Sequence, residues 1–262
     1  MRRYNLEAQT LRQATEAERA YGAEQARVKA ERVQMAHQIE TQFRENAALS
    51  EANRKIDGLL LNLLPSPVVS ELKATGASVP REFSRVGVLV GDIVGFSTVS
   101  KTLAPADLFA ELNELFGTFD GFLAEAGAQR LKTIGDAYMA VAGILDGVED
   151  PARVLVGVAQ RALAHLDARA SGAFRTMRWG LAVGPVMAGI VGQSRYIYDV
   201  FGHTVNLAFR LEAASAPGHL CVDGPTAAAS GLIFSPAGTK DLKGVGPVTL
   251  HLLGPSSNSH EI

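Results

Sequence analysis

The first 58 residues have the spacing and the composition of one long helix. They contain no proline, and most are Ala, Glu, Gln, Arg or Lys, which favour helical backbone. One apolar series returns every seven residues, with a single polar member: Tyr21, Val28, Met35, Gln42, Leu49, Ile56 and Leu63. A second series with the same period mixes apolar and polar side chains: Arg32, Ile39, Asn46, Asn53 and Leu60. This repeat predicts a parallel two-stranded coiled coil over 1–58, and a single amphipathic helix lying on the rest of the protein is the alternative.

Residues 59–80 are predicted to join this helix to a globular domain over 81–255. Pro65 and Pro67 interrupt a run of leucines, because proline cannot donate an intrahelical hydrogen bond. The stretch "VVSELKATG" then resumes a short amphipathic helix, which Gly76 is suited to cap. We expect the last residues, 256–262, to be a flexible tail.

From residue 85 onward, short apolar runs alternate with segments of helical spacing. The predicted strands are 86–90, 130–132, 137–142, 177–182, 186–191, "LCVDG" and the closing "VTLHLLG". The predicted helices are 106–123, 151–168, 205–214 and a short one at "TAAASG". This order predicts a mixed sheet with helices packed on it, an α+β fold of the α/β sandwich type.

The composition is that of an ordinary globular protein, and it narrows the choice of partners. Hydrophobic residues make up 47% and charged residues 20% of the 262 positions, and the net charge is −2. Lysines and arginines are interleaved with acids, so no nucleic-acid-binding surface is expected. Cys221 is the only cysteine, which excludes an internal disulfide and fits a reducing compartment.

The same sequence indicates a cytoplasmic location. No window approaches the ~18 apolar residues that a membrane-spanning helix needs. The N-terminus also lacks the apolar core of a signal peptide. The chain could equally be the cytosolic portion of a membrane-anchored protein, with a sensor or membrane domain preceding Met1.

Two aspartates stand where strands are predicted to end. Asp92 follows an apolar run in "LVGDIVGFS", and Asp136 lies in the hairpin turn "TIGD". Paired carboxylates are hard ligands suited to Mg²⁺ or Mn²⁺, and such a pair can hold two ions. Asp is also an ordinary turn residue, so spacing alone leaves both interpretations open. Backbone N–H groups of "IVGFSTVS" could cradle phosphate oxygens, although no Walker motif occurs in the chain.

Three longer stretches, taken in order, resemble the catalytic domain of the class III nucleotidyl cyclases. They are "VGVLVGDIVGFST", "RLKTIGDAYMAVAG" and "YIYDVFGHTVNLAFRLEA". The stretches "LLPSPVVSELK", "GLAVGPVMAGIVG" and "LKGVG" extend the likeness from about Leu59 to Gly254. The resemblance implies a ferredoxin-like βαββαβ palm core with extra strands and helices, preceded by the long helix.

The resemblance also implies roles for individual residues. The group that would bind two divalent ions, Mg²⁺ or Mn²⁺, is Asp92, Ile93 through its backbone carbonyl, and Asp136. The group that would contact the triphosphate is Gly95, Phe96, Ser97 and Lys243. The purine-selecting pair would be Lys132 and Asp199, and the ribose and transition-state pair would be Asn206 and Arg210. Phe209 departs from the family pattern, which usually has a small residue beside this arginine.

The chemistry of the bases agrees with the implied purine pair. A lysine can donate to N1 of adenine, and an aspartate can accept from its N6 amine. Guanine presents the opposite pattern and would call for a glutamate and a small or thiol residue. Lys132 and Asp199 therefore favour ATP over GTP, and a guanylate cyclase is the first alternative.

The implied reaction is in-line attack of the ribose 3′-hydroxyl on the α-phosphorus, with release of pyrophosphate. Asn206 and Arg210 lie four residues apart and would share one helix face. No side chain near these motifs is a convincing general base, and His203 is interpreted as a turn residue.

Enzymes of this family assemble each site from two chains arranged head to tail. This chain carries both half-sets of residues, so a homodimer would hold two complete sites and a monomer none. The parallel N-terminal coil would then transmit a signal by changing how the two domains face one another. A cyclase-like domain that only binds nucleotide, or a purely structural coiled-coil protein, would not need all of these residues.

Overall fold

A computed structural model describes residues 2–61, 63–144, 148–169, 172–192 and 196–254, with side chains from residue 15 onward. The tail predicted at 256–262 lies outside these residues. By its internal contacts the chain divides into two units, 1–63 and 64–262. Within the described ranges, no helix combines the length and the apolar character needed to cross a membrane.

The first unit is one helix, α1 (Arg2–Leu61), which confirms the predicted long N-terminal helix. The apolar heptad positions of α1 are exposed in the single chain, for example Tyr21 (69%), Met35 (65%) and Leu49 (60%). An apolar stripe of this kind is unfavourable in water, and pairing of two helices would bury it. The coiled coil itself stays a prediction.

The second unit contains an eight-stranded mixed sheet. Seven strands follow the order β2-β3-β1-β4-β6-β8-β7, and β5 pairs with β4 beside this path. Neighbours β4 and β6 are parallel, and the other pairs are antiparallel. The strands are β1 (Arg81–Ile93), β2 (Gln129–Ile134), β3 (Ala137–Ala142), β4 (Met177–Val191), β5 (Ile197–Phe201), β6 (Leu220–Asp223), β7 (Ser235–Leu242) and β8 (Gly246–Leu253).

In the described part of the second unit, six helices accompany this sheet, and both of its faces are covered. They are α2 (Ser66–Thr75), α3 (Phe96–Val99), α4 (Pro105–Glu125), α5 (Pro151–Ala168), α6 (His203–Ala214) and α7 (Gly224–Ser230). Helices α4 and α5 share the main core with Leu89, Tyr138 and Trp179 of the sheet. Helix α6 packs on β4 at Gly180, whose neighbours Trp179 and Leu181 point to the α4–α5 side. The predicted sandwich of helices on a mixed sheet is therefore confirmed.

One prediction about the sheet was wrong, and two strands were missed. The segments expected as two strands around Gly184 and Pro185 form one strand, β4. The register of β1 shifts between Phe83 and Val86, opposite Pro185, so this proline lies at a bulge where it need not donate to the ladder. Strands β5 and β7 were not predicted; β7 is an exposed edge strand without apolar alternation.

The close packing of α6 on β4 depends on Gly180. A Cβ atom there would lie 2.1 Å from the backbone nitrogen of Glu212 and 2.4 Å from the carbonyl oxygen of Ala208. We expect Gly180→Ala to lower the free energy of unfolding by about 1–3 kcal/mol, because α6 must shift to admit the methyl group. Urea unfolding followed by circular dichroism measures this change.

A glycine with open space around it is the matched control for this variant. Gly117 lies inside α4, and nothing would come within 4 Å of an added Cβ atom. Gly117→Ala should leave stability unchanged or raise it by up to ~1 kcal/mol, because alanine favours helix more than glycine does. Equal stability of the two variants would contradict a close approach at Gly180.

Candidate active site

Two carboxylates meet at one end of the sheet. Asp92 lies near the end of β1, and Asp136 lies in the β2–β3 turn, where Gly135 adopts a φ of 64°. Burial raises the pKa of the Asp136 carboxyl, and the Asp92 carboxylate within hydrogen-bonding range raises it further. A site that disfavours two negative charges together is suited to a cation that neutralises them.

The β2–β3 hairpin, which carries Asp136 in its turn, packs against α4. The hydroxyl of Tyr138 donates to Asp120 of α4 at 2.7 Å, and Arg130 forms an ion pair with the same carboxylate at 3.0 Å. The Tyr138 ring is fully buried against Phe116 and Phe119. These contacts fasten the β2–β3 hairpin to α4.

An arginine that the sequence analysis did not single out lies beside Asp92. Arg178 pairs with Asp92 across strands β1 and β4, and its Nη2 donates to Asp92 Oδ2 at 2.8 Å. Its Nε lies 3.4 Å from Oε1 of Glu212 on α6. Burial raises the pKa of Glu212 to about 7; Asp92 adds to this effect and Arg178 opposes it. The sequence signal was a charged residue inside the apolar run "MRWGLAV".

Lys132 and Asp199, the pair predicted to select the purine, contact each other directly. Lys132 Nζ donates to Asp199 Oδ2 at 2.5 Å, although β2 and β5 are not neighbours in the sheet. The other oxygen, Oδ1, accepts from the backbone N–H of Val200 at 2.9 Å. The Asp199 side chain is 12% exposed and that of Lys132 is 34% exposed. The carboxylate is thus held in one orientation at the edge of solvent.

The segment after Asp92 turns at once into a short helix. Gly95 adopts a φ of 78°, in the left-handed region that favours glycine, and α3 begins at Phe96. Phe96 stacks on Phe174 with ring centroids 5.4 Å apart, and Ser97 is exposed. The side chain of Ile93 is buried in the core, so only the backbone of this residue could contact a ligand.

The remaining predicted site residues are exposed. Asn206 and Arg210 lie one turn apart on α6, with Leu207 and Leu211 buried behind them. Lys243 lies in the turn between β7 and β8. Phe209, the departure from the family pattern, is partly buried on α6.

Two groups of predicted site residues lie apart along β4: Asp92 with Asp136, called here the acidic group, and Lys132 with Asp199. Asp92 pairs with Arg178 at the beginning of β4, whereas Asp199 pairs with Gly189 near the end of this strand. Among the described residues, no hydrogen bond or ion pair joins the acidic group to the Lys132–Asp199 pair.

The acidic group has the donors that Mg²⁺ or Mn²⁺ would use. In the parts of the chain that the structure describes, no three His, Cys, Asp or Glu side chains converge as a metal cage. Magnesium is commonly bound through one or two carboxylates together with substrate phosphates, so a pair such as Asp92 and Asp136 fits this mode.

The sequence profile of the family described as "Adenylate and Guanylate cyclase catalytic domain" matches residues 79–254. The chain belongs to the class III nucleotidyl cyclases. The match covers nearly all of the second unit, including both groups of site residues.

The curated relatives of this chain include both adenylate and guanylate cyclases. An adenylate cyclase of Mycobacterium tuberculosis is 34% identical over 184 residues, which are 68% of this chain and 41% of that protein. The receptor-type guanylate cyclase gcy-8 of Caenorhabditis elegans is 36% identical over 173 residues, 64% of this chain and 15% of that one. The chain thus spans less than half the length of these relatives.

A solved structure agrees with the fold of the cyclase domain. The catalytic core of a rhodopsin-guanylyl cyclase with converted specificity, in complex with ATPαS, superposes with a TM-score of 0.64 at 30% identity. The match covers 68% of this chain and 99% of that one. The palm-like cyclase fold expected from the sequence is confirmed.

Proposed function

We propose that this cyclase is an adenylate cyclase that converts ATP to 3′,5′-cyclic AMP and pyrophosphate. The observation that carries the proposal is the Lys132–Asp199 pair. Lys132 and the backbone N–H of Val200 hold the Asp199 carboxylate as an acceptor, which suits the N6 amine of adenine. The Lys132 ammonium has two further N–H donors, and one of them can donate to N1 of adenine. Guanine would leave these groups unpaired or opposed, which is a strong basis for rejecting it.

The chemical step forms one bond and breaks one. The ribose 3′-oxygen bonds to the α-phosphorus, the bond from that phosphorus to the bridging oxygen breaks, and the hydroxyl proton passes to solvent. Arg210 is permanently charged and would stabilise the negative charge that grows on the α-phosphate. Asn206, on the same face of α6, would orient the ribose.

The triphosphate end is proposed to lie at the acidic group. Asp92, Asp136 and the carbonyl of Ile93 would hold divalent ions, which supply the charge that lowers the pKa of the 3′-hydroxyl and neutralises the phosphates. Gly95 immediately precedes α3, which begins with Phe96 and Ser97, and the first N–H groups of a helix have no intrahelical acceptor. They are available to phosphate oxygens, as is the Lys243 side chain.

We further propose that each site is shared between two chains of a homodimer arranged head to tail. The separation of the acidic group from the Lys132–Asp199 pair within one chain supports this arrangement. Pairing of α1 in a parallel coil would hold the two domains together and could carry a signal from a preceding sensor or membrane domain.

Purified protein supplied with Mn²⁺ and either ATP or GTP tests the proposed activity. We expect cyclic AMP from ATP and little cyclic GMP from GTP, measured by chromatography of the products. Asp136→Asn removes one carboxylate charge with little change of shape and should abolish the activity. Formation of cyclic GMP in preference to cyclic AMP would overturn the proposal that ATP is the substrate. Absence of both products would overturn the proposed cyclase activity.

A further inference from the structure

A cavity of about 130 Å³ lies between α2 and one face of strands β1, β4 and β5. None of the predicted site residues lines it. Its walls are mostly apolar, from Pro67 and Val68 of α2 to Phe83 of β1 and Ala188 of β4. A protein cavity of similar size, roughly 150 Å³, is large enough to bind benzene. The space therefore admits a small organic molecule.

The hydroxyl of Tyr198 is a polar group in this cavity that lacks a protein partner. Tyr198 lies on β5 and is only 8% exposed, and no hydrogen bond joins its hydroxyl to another described residue. A buried hydroxyl that loses water without gaining a partner lowers stability. Phenylalanine would form the same wall without this cost. Packing alone therefore does not account for a tyrosine at this position.

Arg81 brings a positive charge to the rim of the same cavity. Its Nη2 lies 3.4 Å from Oε1 of Glu71, and its side chain is 58% exposed. This ion pair engages one end of the guanidinium, which has five N–H donors in all. Burial raises the pKa of the Tyr198 hydroxyl, and the charge of Arg81 opposes that rise. The guanidinium and the hydroxyl therefore act on the same space.

These two donors and the apolar walls together define the chemistry of a ligand. A guanidinium matches the geometry of a carboxylate, and a phenol hydroxyl can donate one further hydrogen bond to it. Glu71 has both oxygens engaged, Oε1 by Arg81 and Oε2 by the hydroxyl of Ser78 at 2.9 Å. Its negative charge at the rim disfavours a ligand with a second negative charge. A single carboxylate on a compact apolar body fits these surroundings.

We propose that this cavity binds a small monocarboxylic acid, with its carboxylate on Arg81 and Tyr198 and its apolar body against Phe83 and Ala188. Successive side chains of a strand point to opposite faces, so Tyr198 points away from the face that carries Asp199. The ligand would thus lie behind β5, outside the proposed nucleotide site. Its binding needs neither nucleotide nor divalent ion, so the proposal is independent of the cyclase reaction.

Titration of the full chain with sodium benzoate, followed by ligand-observed NMR without nucleotide, tests this site. We expect saturable binding with a Kd on the order of 1 mM, as is usual for so small a ligand. Tyr198→Phe removes only the hydroxyl, and Arg81→Gln removes the charge. Each should weaken binding by about tenfold or more, because each removes a hydrogen bond to a charged group. Benzamide, which has nearly the same shape but no charge, should bind the wild type about tenfold more weakly than benzoate.

Arg85→Gln is the matched control. Arg85 lies on the same strand as Arg81, forms an ion pair of the same length with Asp150 at 3.4 Å, and is 52% exposed. It does not line the cavity, so its substitution should leave benzoate binding unchanged. If Arg81→Gln fails to fold, Tyr198→Phe and the comparison with benzamide still test the proposal.

Absence of saturable benzoate binding, or equal binding by the wild type and the folded Tyr198 and Arg81 variants, would overturn the proposal. Equal affinity for benzamide and benzoate would also overturn it, because the site would then not recognise a carboxylate. Wild-type protein that binds benzoate as expected but forms no cyclic nucleotide would support this site and overturn only the proposed function.

Discussion

Two inactive variants of the cyclase, Asp92→Ala and Arg210→Ala, are expected to regain activity when they are combined in one dimer. Each variant alone should lose activity by about 10²–10³-fold or more, since Asp92 would hold the divalent ions and Arg210 would stabilise charge in the transition state. In a mixed head-to-tail dimer, one site receives both substitutions and the other receives none. Such a dimer should therefore show about half of the wild-type activity per dimer, as expected for one of two symmetric sites.

Co-expression with two different affinity tags, followed by sequential purification, isolates the mixed dimer for this measurement. The matched control combines Asp92→Ala with Asp136→Ala, which belong to the same half of the site. That pair should recover nothing, because both sites of the mixed dimer lose a metal-binding carboxylate. Equal recovery in both mixtures, or none in the first, would contradict sites shared between chains.

Exchange of the purine pair is expected to reverse the choice of base. Lys132→Glu replaces the donor to adenine N1 with an acceptor for the guanine N1–H. Asp199→Cys, combined with it, removes a carboxylate that would repel guanine O6. We expect the ratio of kcat/KM for ATP to that for GTP to fall by ~10³ or more, because buried polar groups discriminate strongly against an unmatched base. Initial rates with each nucleotide and Mn²⁺ measure the ratio.

The single substitutions show whether the pair acts as a unit. Lys132→Glu alone places two carboxylates together at the position of the 2.5 Å contact, so it should lose activity with both nucleotides. Lys240→Glu changes the same charge on the exposed strand β7 and should leave the ratio unchanged. A double variant that still prefers ATP would mean that other groups select the base.

The sequence carried most of the local information about this cyclase. The long proline-free segment before residue 58 predicts a helix, and α1 runs to Leu61. Asp92, Lys132 and Asp136 could be proposed as site residues from short motifs, because each lies at a strand end or hairpin whose pattern is local. Their assignment to a cyclase came from the order of several motifs, since each carboxylate alone was also an ordinary turn residue.

Strands were predicted wrongly where pairing with another strand, and not the local pattern, defines the strand. The sequence predicts separate strands over 177–182 and 186–191, but β4 continues through Pro185, because the bulge on β1 lies opposite and removes the need for a hydrogen bond. Strand β7 has no apolar alternation of its own and is defined by pairing with β8. The sequence of β4 does not reveal the bulge on β1, and the sequence of β7 does not reveal its pairing with β8.

The amino-acid sequence by itself determined which chemical groups this protein has and which short elements carry them. Only the tertiary structure decided how those groups are joined. Arg178 meets Asp92 through the register of two strands, and Glu212 reaches Arg178 because Gly180 lets α6 approach the sheet. Contacts of this kind join residues distant in the chain, so they follow from packing and register, which no local pattern encodes.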